Sequence, residues 1–579
     1  MTAPINPVML EVVRNHLPAI ANEMAIDLQR TSYNMMIYEV CDFCTAYLDI
    51  EGRLVSQNVG GVSHFVADLG AIIVDAMAKY GRAGFAEGDV LITNHQRVAG
   101  QHLNNIVVYV PFFHEEELLG FTATRAHWID VGGMSTGFGA GPQVSDPWLE
   151  GLQIDQLKIY EAGKLNETLH SIIRDNIRYP ESSMGDLRAQ IASCKLGVRR
   201  LKELYRKYGR DDLDRCIGQI FAETEQRCRK VVELIPDGVY TAEAAFDDDG
   251  VALGEPVEIK VAITISGGDM TIDLSGCSSQ RQGGINARTL AAARVAYKAL
   301  TEPNTPVNEG SFSALLTVIP EGNVMMARHP APMGAWSLIV PTVVDTIFRA
   351  LAPVMPRTIP AAHHGLLGGS VIFFGKAGGG EKFFVQSLEG GGWGGHFDRD
   401  GQSGSVSICQ GNVKNAPIEA IEMKNPVVVE RRALRIDSGG AGTNRGGLGI
   451  SVRVRNLQRG KWNLSRPRRM GCPPWGLNGG GVGESARLLL RTGGEGEFKG
   501  VDAVMHEVPV DSVAEICTGG GGGWGSPLER PVDAVVADIL DEFITIEAAE
   551  KLYGVVLMAN GTEADMQATA SLRKRLAAA

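Results

Sequence analysis

The sequence predicts an α+β fold. It reads as one large mixed body with an N-terminal α+β part, a helical middle layer and a β-rich C-terminal part with glycine loops. Three observations carry this. Apolar residues recur at helical spacing near the N-terminus and again over 165–234. Short alternating runs of antiparallel-strand type dominate from Gly238 onward. Glycine supplies 71 of the 579 residues without a period, which excludes collagen and places tight turns between strand-like runs.

In chain order, Leu10, Val13, Leu17, Ile20, Met24 and Leu28 share one face of a helix over Pro7–Tyr33. Strands Thr45–Leu48 and Arg53–Ser56 meet at Glu51-Gly52, and Asp68–Tyr80 reads as helix. Glu87-Gly88-Asp89 turns into a strand Val90–Thr93. Strands Ile106–Phe113 and Phe121–His127 flank a polar stretch, His114–Gly120, that reads as a hairpin loop. Gly132–Trp148 is a Gly/Pro loop, and Leu165–Arg178, Asp186–Tyr208 and Leu213–Leu234 are helical. Val257–Ile265 and Met270–Leu274 follow as strands, then a helix Ile285–Leu300. Residues 303–450 mix short strands with glycine loops. Val427–Arg435, Gly449–Arg455 and Ala486–Leu490 extend the β character, and Ala534–Asp541 and Ile546–Tyr553 close the chain as short helices. The expected divisions are 1–165 (with a candidate metal hairpin), 166–236 (helical), 237–450 (mixed, β-rich) and 451–579.

A net charge of −12 with no basic run speaks against nucleic acid, because phosphate neutralisation needs clustered Lys and Arg. No stretch of about 18 apolar residues suggests a membrane span, and the first fifteen residues lack a signal-peptide pattern. A cytoplasmic protein with reduced thiols is expected: the cysteines are odd in number and scattered. Cys41 and Cys44 form an isolated CxxC and read as inert thiols.

The most informative stretch is Gly100–Gly133. His102-Leu103-Asn104-Asn105 and His127-Trp128-Ile129-Asp130 share the form His-x-x-(Asn or Asp). Opposed residues of an antiparallel hairpin keep a constant index sum, and a turn near Glu116 sets that sum at 232. His102 then faces Asp130, and Asn105 faces His127, with opposed Cβ atoms about 5 Å apart. Residues three apart on a strand point to opposite faces, so one of each pair must sit in irregular backbone. Imidazoles with oxygen donors suit Zn, Mn or Fe. Structural histidines bonded to carbonyls are the alternative.

At these residues the chain resembles the hydantoinase B, 5-oxoprolinase and acetone carboxylase alpha family. The likeness runs through Asp42-Phe43-Cys44-Thr45-Ala46, Glu51–Val55, His64 and Arg125–Gly133, the last similar to R-A-H-H-A-D-V-G-G. It continues through Asn176-Ile177-Arg178 and Gly185–Gln190, then Gly284–Ala287 and Asn308–Gly310. Asn412, Pro417, Glu419, Glu422, Arg435–Gly449, Gly519–Pro527 and Tyr553–Leu557 complete it. Asn105 stands where the acetone carboxylase pattern has Asp, and Trp128 where many hydantoinase relatives have His.

The resemblance implies a B-type subunit of an ATP-dependent cyclic-amide hydrolase acting on hydantoin, oxoproline or another lactam. A hydantoinase A-type ATPase partner, with ATP and Mg, phosphorylates the substrate. The absence of a GxxxxGK[ST] loop here fits that division. A hetero-oligomer such as (AB)2 is implied. The metal set that follows is His102, Asn105, His127 and Asp130, with Asp42 as a further ligand or general base. Asp42 or Asp130 accepts the proton of the attacking water. Glu419 and Glu422 share a helix face and are candidate acid–base or binding groups beside a plain surface-pair reading. His363-His364 reads as structurally packed. The glycine loops Gly390–Gly395 and Arg435–Gly449 offer either phosphate-binding N–H groups or tight turns. A ketone carboxylase subunit, marked by bicarbonate dependence, and a non-catalytic structural subunit are the competing functions.

Overall fold

The computed structural model describes residues 5–134, 144–365, 371–377, 381–383, 389–464, 469–501 and 505–578; the central residues of the expected loop Gly132–Trp148, numbers 135–143, lie outside these. Seven strands make the first sheet: β1 (Phe43–Asp49), β2 (Leu54–Gln57), β3 (Val90–Thr93), β4 (Asn105–His114), β5 (Glu117–His127), β6 (Leu157–Glu161) and β7 (Lys164–Leu165), ordered β2-β1-β5-β4-β3-β6-β7. One face is covered by the helices Pro7–Thr31, Pro180–Tyr208 and Arg210–Val232. The first of these buries Val13, Leu17, Ile20, Met24 and Leu28, as its apolar stripe requires.

Side-chain alternation along β5 decides which residues meet the helices. Ala126 packs with Leu28 and Ala189, and Thr122 donates to Cys194 O (2.9 Å). Ala123, Arg125 and His127 therefore face the opposite way, into the centre of the molecule. There the sheet meets the helices Leu69–Tyr80 and Ala291–Thr301 across a shared apolar core.

A second sheet holds β8 (Gly238–Phe246), β9 (Val257–Ser266), β10 (Asp269–Asp273) and β11 (Leu315–Val318), ordered β11-β10-β9-β8, with β10 and β11 parallel. The helix Ile339–Leu351 packs on β8 and β9. It is buried almost all round, including the polar Thr342, Asp345 and Thr346, so it shows little solvent-facing side, and the sequence reading missed it for that reason. Two further sheets are ordered β13-β12-β16-β19 and β14-β15-β20-β17-β18, from β12 (Val371–Ala377), β13 (Glu381–Phe383), β14 (Val427–Leu434), β15 (Ile450–Asn456), β16 (Gly460–Leu464), β17 (Arg487–Arg491), β18 (Lys499–Gly500), β19 (Met505–Val508) and β20 (Val513–Cys517).

Several boundaries differ from expectation. The hairpin loop is only Glu115-Glu116, not His114–Gly120. Both residues have positive φ (50° and 67°), as the two-residue turn favoured by strand twist demands. The helix expected from Ile285 begins at Ala291. Arg288 bridges Gly100 and Met326, and the Asn286 amide donates to the carbonyls of Arg281, Gly283 and Pro332, so this stretch is pinned as extended chain. The chain ends with Val532–Leu540, Ile546–Tyr553 and a helix the sequence reading did not anticipate, Met566–Ala577.

The glycine loops are bonded to one another. Gly392 N donates to Gly519 O, Gly395 N to Gly522 O, Gly440 N to Gly521 O and Gly523 N to Gly481 O, at 2.8–2.9 Å. A Cβ on Gly392 would lie 1.9 Å from Gly447 O. The phosphate-cradle reading of these loops fails, because these N–H groups already serve backbone carbonyls. Among the described residues no helix is long and apolar enough to cross a membrane, and all nine cysteines are free thiols.

Candidate functional site

The β4–β5 register places Asn105 opposite His127, as the index sum of 232 requires. His102 lies in the irregular backbone before β4, where Asn105 N donates back to His102 O (3.2 Å). That turn brings the His102 ring onto the face shared by Asn105 and His127. His102 Nε2 lies 2.9 Å from Asn105 Oδ1, His127 Nδ1 lies 3.1 Å from the same oxygen, and the two ring nitrogens are 3.2 Å apart. All three side chains are buried.

Three heteroatoms thus form a nearly equilateral triangle. Donors bound at about 2.1 Å to one ion lie about 3.0 Å apart at adjacent octahedral positions and about 3.4 Å apart at tetrahedral ones. Burial holds both rings neutral: His102 is pushed down to about 4 and His127 well below the usual imidazole value. His102 Nε2 and His127 Nδ1 both face Asn105 Oδ1. The amide is fixed in turn, because Asn105 Nδ2 donates to Gln101 Oε1 (2.8 Å). Gln101 cannot flip without losing its own bonds to His64 O (3.0 Å) and Asp68 Oδ2 (3.3 Å). The three atoms converge on one point with the spacing of donors around a single ion. Among the described residues no three His, Cys, Asp or Glu side chains converge as a metal set; the third donor here is an amide.

Asp42 precedes β1, and its carbonyl accepts from His127 N (3.1 Å). Continuing the β1–β5 register from the Phe43–Ala126 pair sets Asp42 beside His127. Its carboxyl is pushed up to about 7 by burial alone, which makes it a proton acceptor poised near neutrality.

Asp130 is not where the symmetric pattern puts it. The chain leaves β5 at His127, and Asp130 turns away to Arg178, whose Nη1 donates to Oδ1 (2.6 Å) and whose N–H bonds Oδ2. The Asp130 carboxylate is buried against a guanidinium and serves as the anchor of that arginine. Trp128 points into the helical layer, donating to Gln190 Oε1 (2.8 Å), which accounts for an indole at that position. Glu419 is exposed on the helix Ile418–Lys424, and Glu422 accepts from Val429 N (2.7 Å). Neither touches the triangle among the described residues.

Sequence reasoning missed the groups that surround the triangle. Arg125 is buried two residues before His127, with Nε and Nη1 unbonded. Burial drives it down to about 10, partly offset by Asp68. His64 is pushed to about 3 by burial and by Arg125. It packs edge-on to Trp336 (4.7 Å), which also meets His102 (6.1 Å). Glu150 accepts from Gln96 Nε2 and Met333 N, both at 2.7 Å, and burial pushes it up to about 8. Arg125 and His64 lay within recognisable motifs; nothing local marked Glu150. Ser63 and Val66, beside His64, line a cavity of about 570 Å³ with Arg294, Lys298 and Phe312.

A family model described as hydantoinase B/oxoprolinase matches residues 6–527. An uncharacterised protein of Methanocaldococcus jannaschii is 32% identical over 98% of this chain and 100% of its own length. Caprolactamase subunit beta of Pseudomonas jessenii is 27% identical over 96% of this chain and 97% of its own. The crystal structure of the ATP-dependent caprolactamase from that organism superimposes with a TM-score of 0.91 at 25% identity, covering 99% of this chain and 100% of that one. A nucleotide-free structure of acetone carboxylase matches at 0.89 and 18% identity, covering 99% and 83%, a likeness of fold.

Proposed function

The chain belongs to the hydantoinase B/oxoprolinase family, and we propose that it is the B-type subunit of an ATP-dependent cyclic-amide hydrolase. It works in the cytoplasm with an A-type ATPase subunit, which holds ATP and Mg and phosphorylates the lactam oxygen. The present chain completes ring opening of that intermediate. The caprolactamase likeness supports a lactam.

The observation that carries the reading is the triangle of His102 Nε2, His127 Nδ1 and Asn105 Oδ1. These residues would hold a divalent transition metal (Zn, Mn or Fe). When bound, such an ion supplies a Lewis acid that makes water acidic near neutral pH. His102 and His127 would bind it as neutral rings, from which no proton need leave first. Asn105, clamped by Gln101, sets the third donor. Asp42 takes the proton of the attacking water on its carboxylate, for which a value of about 7 is suited. Asp130 holds Arg178, and Glu419 and Glu422 are surface groups.

The test combines metal content with turnover. The purified chain should carry about one transition-metal ion, lost when His102 and His127 are both changed to alanine. Together with its A-type partner it should open lactams in an ATP-dependent way. A metal-free protein with full turnover would remove the triangle from the chemistry. Product formation that depends on bicarbonate and a ketone would instead assign a carboxylase. Full activity of the double variant would leave a scaffolding subunit.

A further inference from the structure

Three buried side chains from three separate segments form a hydrogen-bonded line elsewhere in the molecule. Asp345 comes from the helix Ile339–Leu351, His363 from the extended stretch that follows it, and Ser407 from the turn at 403–410. His363 Nδ1 lies 2.7 Å from Asp345 Oδ2, and His363 Nε2 lies 3.3 Å from Ser407 Oγ. Their exposures are 4%, 2% and 2%.

We propose that Asp345, His363 and Ser407 form a second reactive centre, with Ser407 as an acyl-accepting nucleophile. The Asp345 carboxylate selects the tautomer with the proton on Nδ1, which leaves the Nε2 lone pair aimed at the serine hydroxyl, the arrangement that activates serine on unrelated folds. A serine–imidazole distance of 3.3 Å is ordinary for a site without substrate. The neighbouring thiol is no rival, since burial and Asp345 push Cys409 far up.

The loop is held for the task. Trp393 Nε1 donates to Val406 O (2.7 Å), and its ring sits 5.8 Å from the His363 ring. Ser405 exchanges both main-chain bonds with Gly391 (2.8 Å each). Ser405, Val406 and Gln410, on either side of Ser407, line a cavity of about 330 Å³. On its other flank the loop touches the first site: Cys409 O accepts from Ser63 Oγ (3.0 Å) and His64 N (3.3 Å).

The ligand class is an activated acyl group. The Ser407 oxygen forms a bond to the acyl carbon while its proton passes to His363 Nε2, and the leaving group departs with the electron pair of its own bond to that carbon and takes that proton from His363, which is neutral again. Water then attacks the resulting ester and gives its proton to His363, which returns one to the departing serine oxygen.

The purified chain alone, without ATP, partner or lactam, is mixed with p-nitrophenyl acetate, so the outcome is independent of the lactam reading. We expect a burst of about one nitrophenolate per chain, with one acetyl group mapped to Ser407 by peptide mass spectrometry. The burst should vanish in Ser407→Ala and fall at least about 100-fold in His363→Asn. Asp345→Asn, a change in a positioning residue, should slow acylation and alter its pH profile. Absence of a burst from the native chain, an acetyl group mapped elsewhere, or an unchanged burst in Ser407→Ala would overturn the proposal.

Discussion

Replacing Asn105 by Asp separates a metal site from a hydrogen-bonded histidine pair. In the metal-free protein the change turns the Nδ2 donor that faces Gln101 Oε1 at 2.8 Å into an acceptor. Gln101 is locked by His64 O and Asp68, so two oxygens meet in a buried site, at a cost of about 1–3 kcal/mol. Unfolding entropy of roughly 2 cal/mol/K per residue over 579 residues turns about 2 kcal/mol into a fall of about 2 °C in melting temperature. With metal much of the loss is recovered. A carboxylate in place of an amide among the ligands should tighten binding at least about tenfold, or about 1.4 kcal/mol at saturation, which recovers about 1 °C or more. The assay is a thermal melt of both proteins with chelator and with saturating Zn or Mn, beside a direct metal titration. The same deficit in both conditions, with unchanged metal affinity, would refute the reasoning.

Asp42→Asn should cut lactam turnover by about 10²–10⁴ and remove the rise of activity through the pH of about 7 set by this group. Stability changes in the same window. A carboxyl raised above its unfolded value near 3.9 favours the fold at low pH and loses that contribution as pH climbs toward 7, so the native chain should weaken more steeply over this range than the Asn variant, which keeps only the share of the other raised carboxyls such as Glu150. Arg178→Ala leaves the buried Asp130 carboxylate without its partner and should cost about 2–4 kcal/mol in denaturant unfolding; adding Asp130→Asn should restore most of it, and no restoration would mean that Arg178 acts through other contacts. Glu419→Gln and Glu422→Gln together should leave kcat within about twofold, and a larger drop would return these carboxylates to the site.

The hairpin was legible because its register follows from counting, and strands rich in β-branched residues have little freedom to slip once a two-residue turn is set. Asn105 opposite His127 could therefore be read from the chain. The placement of Asp130 could not. It lies beyond the last paired residue, where no register applies, and Arg178, 48 positions on, decides its direction. The helix Ile339–Leu351 was hidden by its all-round burial, and Glu150 and the Asp345–His363–Ser407 line were hidden because their partners come together only in three dimensions. The likeness to acetone carboxylase and the oxoprolinases already pointed to the kind of enzyme, whereas Trp128 needed the Gln190 contact to be understood.

The glycine segments at 390–395, 438–449, 476–483 and 519–525 stack main chain on main chain, with carbonyl oxygens where side chains would be: Gly480 against Gly523 O and Gly446 against Gly521 O, each 2.0 Å from a notional Cβ. The consequence is hereditary as much as mechanical. Each such codon admits a single amino acid, and a change in one segment cannot be answered by a compensating change in the next, because the next has no side chain to trim. A side chain placed at any of these backbone contacts would have to push main chain aside, so the segments resist substitution together.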